Sequence, residues 1–145
     1  LTHYPETVAI ARTITDQEAN LDERQKTKVH VPNLVKDLIE EIGFVARESE
    51  YIDEKSGISA RMSITAFENL MSTAERRMLL SGDTTTTIRY SDLMGIIPAI
   101  TGKVELVYEG EQEGADEVAK ILIGDATRSL FDDYFFLVHM FRMYQ

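Results

Sequence analysis

The sequence contains no cysteine and no tryptophan, and only three prolines and three histidines. Without cysteine there is no disulfide scaffold, no thiolate metal site and no thiol nucleophile. His3, His30 and His139 stand far apart, with no HxxxH or HExxH spacing to hold a metal. Positive charge is scarce as well: 15 Lys and Arg against 25 Asp and Glu leave a net charge of -10. Phosphate-backbone binding needs clustered positive charge, so nucleic acid is not an expected partner, and Arg76-Arg77 is too small a patch. No apolar run approaches the ~18 residues of a membrane span, and no signal-peptide pattern opens the chain. A cytoplasmic location is expected, with no membrane partner. The chain opens on Leu1, so a processed product or a piece of something longer is expected.

Catalytic constellations are also missing. Gly102-Lys103 is the only Gly-Lys pair and fails as a phosphate loop, because Ile97 and Val104 stand where a glycine and a magnesium-binding Ser or Thr belong. In Leu130-Phe131-Asp132-Asp133, two apolar residues do not make the strand that would end in metal-binding carboxylates. There is no GxGxxG and no GxSxG elbow. Nothing in the chain does chemistry alone.

What is present is helical pattern. With 145 residues the chain has room for one domain or two small ones, and for a core without staples. Pro5 suits a first helical position, and Ile10, Ile14 and Leu21 give an apolar stripe, so a helix is expected over about 5–20. The polar run 22–30 reads as a loop. Pro32 opens a helix to about Glu48, with Leu34, Val35, Leu38, Ile39, Ile42, Val45 and Ala46 on one face. Lys36, Asp37, Glu40 and Glu41 fall mostly on its wet face. A third helix spans about Ser59 to Leu80, with Ser59 as N-cap and Ser81-Gly82-Asp83 as its stop. Ile64, Phe67, Met71, Ala74 and Met78 form its packed seam.

Thr84–Thr87 with Ile88 and Tyr90 favours an extended segment over 84–90. Ser91-Asp92 caps a short helix in which Pro98 forces a kink or an early end. Residues 103–108 fit either a short strand or a helical turn. Gly110–Glu117 reads as an exposed acidic loop before a helix over about 115–130. The tail 131–145 holds six of the twelve aromatics, and must bury them in the domain's own core or against a partner domain or subunit.

Lys28-Val29-His30-Val31-Pro32, the helix ending near Arg47, and Ser56-Gly57-Ile58-Ser59-Ala60-Arg61 resemble the helical lid of AAA+ ATPases. The nearest clades are the magnesium chelatase ATPase subunit and the MoxR-like proteins. Gly57, Ser59 and Arg61 match the family's Gly-x-Ser-x-Arg signature. Ser91-Asp92-Leu93 and Thr101-Gly102-Lys103 follow the pattern, and Thr2-His3-Tyr4-Pro5 looks like the seam from the nucleotide-binding core. The likeness spans about 1–110 and is strongest over 28–103; beyond it there is only a loose similarity to chelatase-like extensions.

The resemblance implies a mainly α helical bundle of the AAA+ lid type, with at most short strands near 84–90 and 103–108. It divides the chain into a linker and helix at 1–27, the lid at 28–110 and a C-terminal helical extension at 111–145. It makes Arg61 the sensor 2 arginine, reaching the γ-phosphate of ATP, with Gly57 and Ser59 in the same cofactor-contacting turn. ATP and magnesium would be cofactors of the intact parent ATPase only, none being expected in the fragment. Implied partners are the nucleotide-binding core of the parent chain, neighbouring ring subunits, and a protein substrate or co-chelatase. The parent would drive metal insertion or protein remodelling. The alternative is a free-standing acidic helical interaction domain with no ATPase partner domain.

Overall fold

The structure is a computed structural model that describes residues 3–56 and 58–143. The fold is mainly α with one short two-stranded sheet. Helix α1 (Val8–Glu18) is capped by Thr7, whose hydroxyl accepts the Ile10 N–H at 3.3 Å. Pro5 therefore precedes the helix and does not start it. Ala11 and Thr15 form the buried face, while Ile10 is half exposed. Of the expected apolar stripe, Ile10 therefore faces out, while Ile14 is half-buried and Leu21 packs against the core.

The expected loop at 22–30 is instead α2 (Glu23–Lys28) followed by β1 (Val29–His30). A reciprocal cap makes this helix possible without an apolar stripe. Asp22 accepts the Gln25 N–H at 2.7 Å, and the Gln25 side chain accepts the Asp22 N–H at 3.3 Å. Lys26 and Lys28 then complement the negative end of the helix.

Helix α3 (Asn33–Glu48) follows Pro32 and buries Leu38, Ile39, Ile42 and Ala46, as the spacing predicts. Glu40 lies on the buried side too, against expectation. Helix α4 (Ala60–Ser81) runs through the core, and Phe67, Leu70, Met71, Ala74 and Met78 are all buried. It ends as expected at Gly82, whose φ of 73° is the left-handed turn that glycine adopts without strain. The Asp83 N–H closes that turn on the Met78 carbonyl at 3.1 Å.

Strand β2 (Thr86–Thr87) pairs in parallel with β1, Val29 against Thr86 and His30 against Thr87. A 3-10 helix (Tyr90–Ile96) runs into α5 (Ile97–Thr101). Pro98 sits in the first turn of α5, where its missing N–H leaves no hydrogen bond broken, so it opens a helix and does not end one. Lys103 closes the turn after α5, and the next residues pair as a short bridge: Ile52 faces Leu106, and the Val107 N–H reaches the Tyr51 carbonyl at 3.0 Å.

The acidic stretch expected as a loop is α6 (Tyr108–Glu113), after which Gly114 turns the chain into α7 (Ala115–Met143). Gly110 is buried against the Tyr51 carbonyl, where a Cβ would collide with backbone. Helix α7 does not stop near Leu130. Its first half adds Val118, Ala119, Leu122, Ile123 and Ala126 to the same core as α3, α4 and α5. Its second half leaves Phe131, Phe135 and Phe136 more than 60% exposed, so these three rings of the aromatic tail are not packed into the domain's core. No helix of the described residues is long and apolar enough to cross a membrane.

Candidate functional site

The signature residues lie where the loop after α3 turns into α4. Ile58 and Met62 are buried to 2% and 1%, and pin the chain as it enters the helix. Between them, Ser59 and Arg61 are exposed. The Ser59 hydroxyl accepts the Arg61 N–H at 3.0 Å and so caps the helix. The Arg61 guanidinium has no hydrogen-bond or ion-pair partner among the described residues. Gly57 lies outside the described residues.

The last turn of α3 sits beside this start. Arg47 stacks its guanidinium over the Tyr4 ring at 4.5 Å and the Phe44 ring at 5.0 Å. Burial lowers its pKa, with Tyr4 and Glu40 acting the other way. Its Nε is buried with no hydrogen-bond partner. Arg47 and Ile58 share a small cavity of about 130 Å³ with Tyr4, Ile52, Asp53 and Glu54. A guanidinium held between aromatic faces contributes mainly to packing.

At the far end of α4, Arg77 is fully engaged. Its Nε and Nη2 grip the two Asp92 carboxylate oxygens at 2.9 Å each. Nη1 reaches Thr86 Oγ1 at 2.9 Å, and Nη2 also reaches the Thr87 carbonyl at 3.0 Å. Burial pushes the Asp92 carboxyl up, but the Arg77 hydrogen bonds, the Arg89 N–H and both positive charges outweigh it and hold the pKa down. This pair fastens β2 and the 3-10 helix to α4. Arg77, half of the small basic patch in the sequence, is therefore a structural clamp.

Glu40 is the other buried charge-bearing group. Burial raises its pKa, against hydrogen bonds from Thr15 and Ser63. Its neighbours on α1 and α4 make it a packing contact between three helices.

Two larger depressions lie elsewhere. A polar cleft of about 1050 Å³ runs between α1, α2 and the sheet, and an apolar groove of about 320 Å³ lies between α3 and α7. Neither is lined by Ser59 or Arg61. Among the described residues, no group of three or more His, Asp or Glu side chains gathers to hold a metal. The structure thus brings Ser59 and Arg61 together on one exposed turn, and places Arg47 beside it, stacked on Tyr4 and Phe44 with its Nε unpartnered. Sequence reasoning missed the Arg77–Asp92 clamp and the burial of Glu40; no spacing in the chain signals either.

Compared with protein-family models, curated proteins and solved structures, the chain has no match.

Proposed function

We propose that this chain is the C-terminal lid of a magnesium-chelatase-like or MoxR-like AAA+ ATPase, and that Arg61 is its sensor 2 arginine. The observation that carries the reading is the bare guanidinium in the first turn of α4. A cation there opposes the helix macrodipole, at a cost of about 0.3–1 kcal/mol. No contact within the described residues offsets that cost. An anion brought by another surface does. Guanidinium is always charged and presents a planar fork to phosphate oxygens.

The residues present fit one contact to ATP and no more. The chain has no phosphate loop and no carboxylate pair for magnesium, so the nucleotide and its metal belong to a core domain in the parent polypeptide. There, magnesium and the core would supply phosphate binding, while Arg61 would donate hydrogen bonds to the terminal phosphoryl oxygens. Stabilising that charge as the phosphoryl group leaves is the main task of a protein in such reactions. Ser59 fixes the turn that aims Arg61, and the buried Ile58 and Met62 tie the turn to the core. Loss of the γ-phosphate would release the lid to rotate and move a partner.

In the parent, Arg61→Ala lowers ATP turnover at least about tenfold while the lid stays folded. Unchanged turnover overturns the assignment. A second reading, a helical interaction domain without an ATPase core, is favoured by one observation: the exposed aromatic side chains along the end of α7. A reading frame without a phosphate loop upstream of Leu1 would select it.

A further inference from the structure

Helix α7 leaves the core with Phe131, Phe135, Phe136 and Met143 uncovered. Tyr134 ties it to α3, its hydroxyl donating to Asp37 Oδ2 at 3.3 Å. Around and beyond that tie, Phe131, Phe135, Phe136 and Met143 are 61–75% exposed. Phe131, Phe135 and His139 stack one turn apart, with ring centroids separated by 5.7 and 6.5 Å. The ladder stands beside the apolar groove, whose wall includes Leu34, Leu38, Leu130 and Phe131. A short helical segment without tertiary support is marginal in water, so this one gains stability from being covered.

Charge decides what covers it. The chain carries -10, but residues 131–143 hold only Asp132, Asp133 and Arg142 as fixed charges, a net of -1. This is an almost neutral apolar strip on an acidic molecule, so it is not built to attract a basic partner. The charges are also ordered: the acids come first, while His139 and Arg142 come last. None of the ion pairs among the described residues uses Asp132 or Arg142.

We infer that the end of α7 pairs antiparallel with α7 of a second copy of this chain. Centred between Phe135 and His139, a two-fold arrangement sets Phe135 against the partner's His139 and Phe131 against the partner's Met143. The same arrangement sets Asp132 against the partner's Arg142, twice per dimer. Parallel pairing would set Asp132 against Asp132 and Arg142 against Arg142, so charge selects the antiparallel form. An aromatic side chain offers ~150–250 Å², so the strip exposes on the order of 500 Å² per copy. A standard interface takes roughly 800 Å² per partner. The dimer is therefore weak, in the micromolar range or above. This inference does not depend on the role of Arg61.

The test is sedimentation of the whole chain across a wide concentration range, with far-UV circular dichroism as a control for folding. The wild type passes from monomer to dimer, and Phe135→Glu raises the dissociation constant at least about tenfold without losing helix. Asp132→Arg or Arg142→Asp alone weakens the dimer, and the double swap restores it. Restoration is the readout that a merely structural role would not give. A wild type that stays monomeric at every concentration overturns the inference, and points to a different chain as the cover. A dimer insensitive to Phe135→Glu, or a double swap that fails to restore it, overturns it equally.

Discussion

Of the three arginines on helix α4, Arg61 near its start and Arg77 near its end are placed in opposite ways. Arg77 spends its donors on Asp92, Thr86 and the Thr87 carbonyl, every distance lying between 2.9 and 3.0 Å. Arg61 makes only the backbone contact that its Ser59 cap requires. One side chain closes a network that joins three elements; the other stands in solvent against the field of its own helix. The difference separates an arginine engaged inside the fold from one whose side chain makes no contact among the described residues. A surface arginine at the C-terminal end of a helix would need no explanation, since the dipole favours it there. At the N-terminal end it does.

Removing the clamp should give the largest effect. Arg77→Ala leaves Asp92 buried and without its counter-charge, which costs about 3–5 kcal/mol. Thermal melting should fall by on the order of 10 °C. A change of only one or two degrees would mean that the clamp adds nothing to the packing around it.

The next effect is one of pH. Because the folded state holds Asp92 below its ordinary value of 3.8, its stabilisation is complete above that value and is lost as pH falls through the folded pKa. The wild type should therefore exceed Asp92→Asn in melting temperature at neutral pH, with the gap closing below about pH 4. A gap that stays constant into acid would contradict the charged pairing with Arg77.

The smallest effect on stability belongs to the other arginine. Arg61→Ala should change stability by no more than about 1 kcal/mol, and in the stabilising direction, since it removes a cation that opposes the helix dipole. A large loss would show that Arg61 has a structural contact in solution, and would erase the contrast with Arg77.

The sequence announces some of this contrast and conceals the rest. Ser59 and the buried seam through Phe67, Met71, Ala74 and Met78 are legible because capping and 3.6-residue spacing are local. Gly82 is legible for the same reason. Helix α2 lacks an apolar stripe and so reads as a polar loop, although the Asp22–Gln25 spacing of its reciprocal cap is a local signal that the chain carries. Glu40 reads as a solvated charge, yet hydrogen bonds from α1 and α4 let it sit inside. The run of α7 past Leu130 is hidden by a change in composition, although no glycine or proline stands between Leu130 and Gln145 to stop it. Of the candidate site, the turn itself is written in Ser59 and Arg61. The Arg77–Asp92 pair, by contrast, joins α4 to the 3-10 helix beyond β2, a tertiary contact that no spacing records.

The most direct test of the contrast is ATP turnover by the native full-length polypeptide carrying Arg61→Ala, measured on protein whose melting matches the wild type. The account predicts a loss of turnover of at least about tenfold with the fold intact. Wild-type turnover from that variant would contradict it, and would make Arg61 an ordinary surface residue.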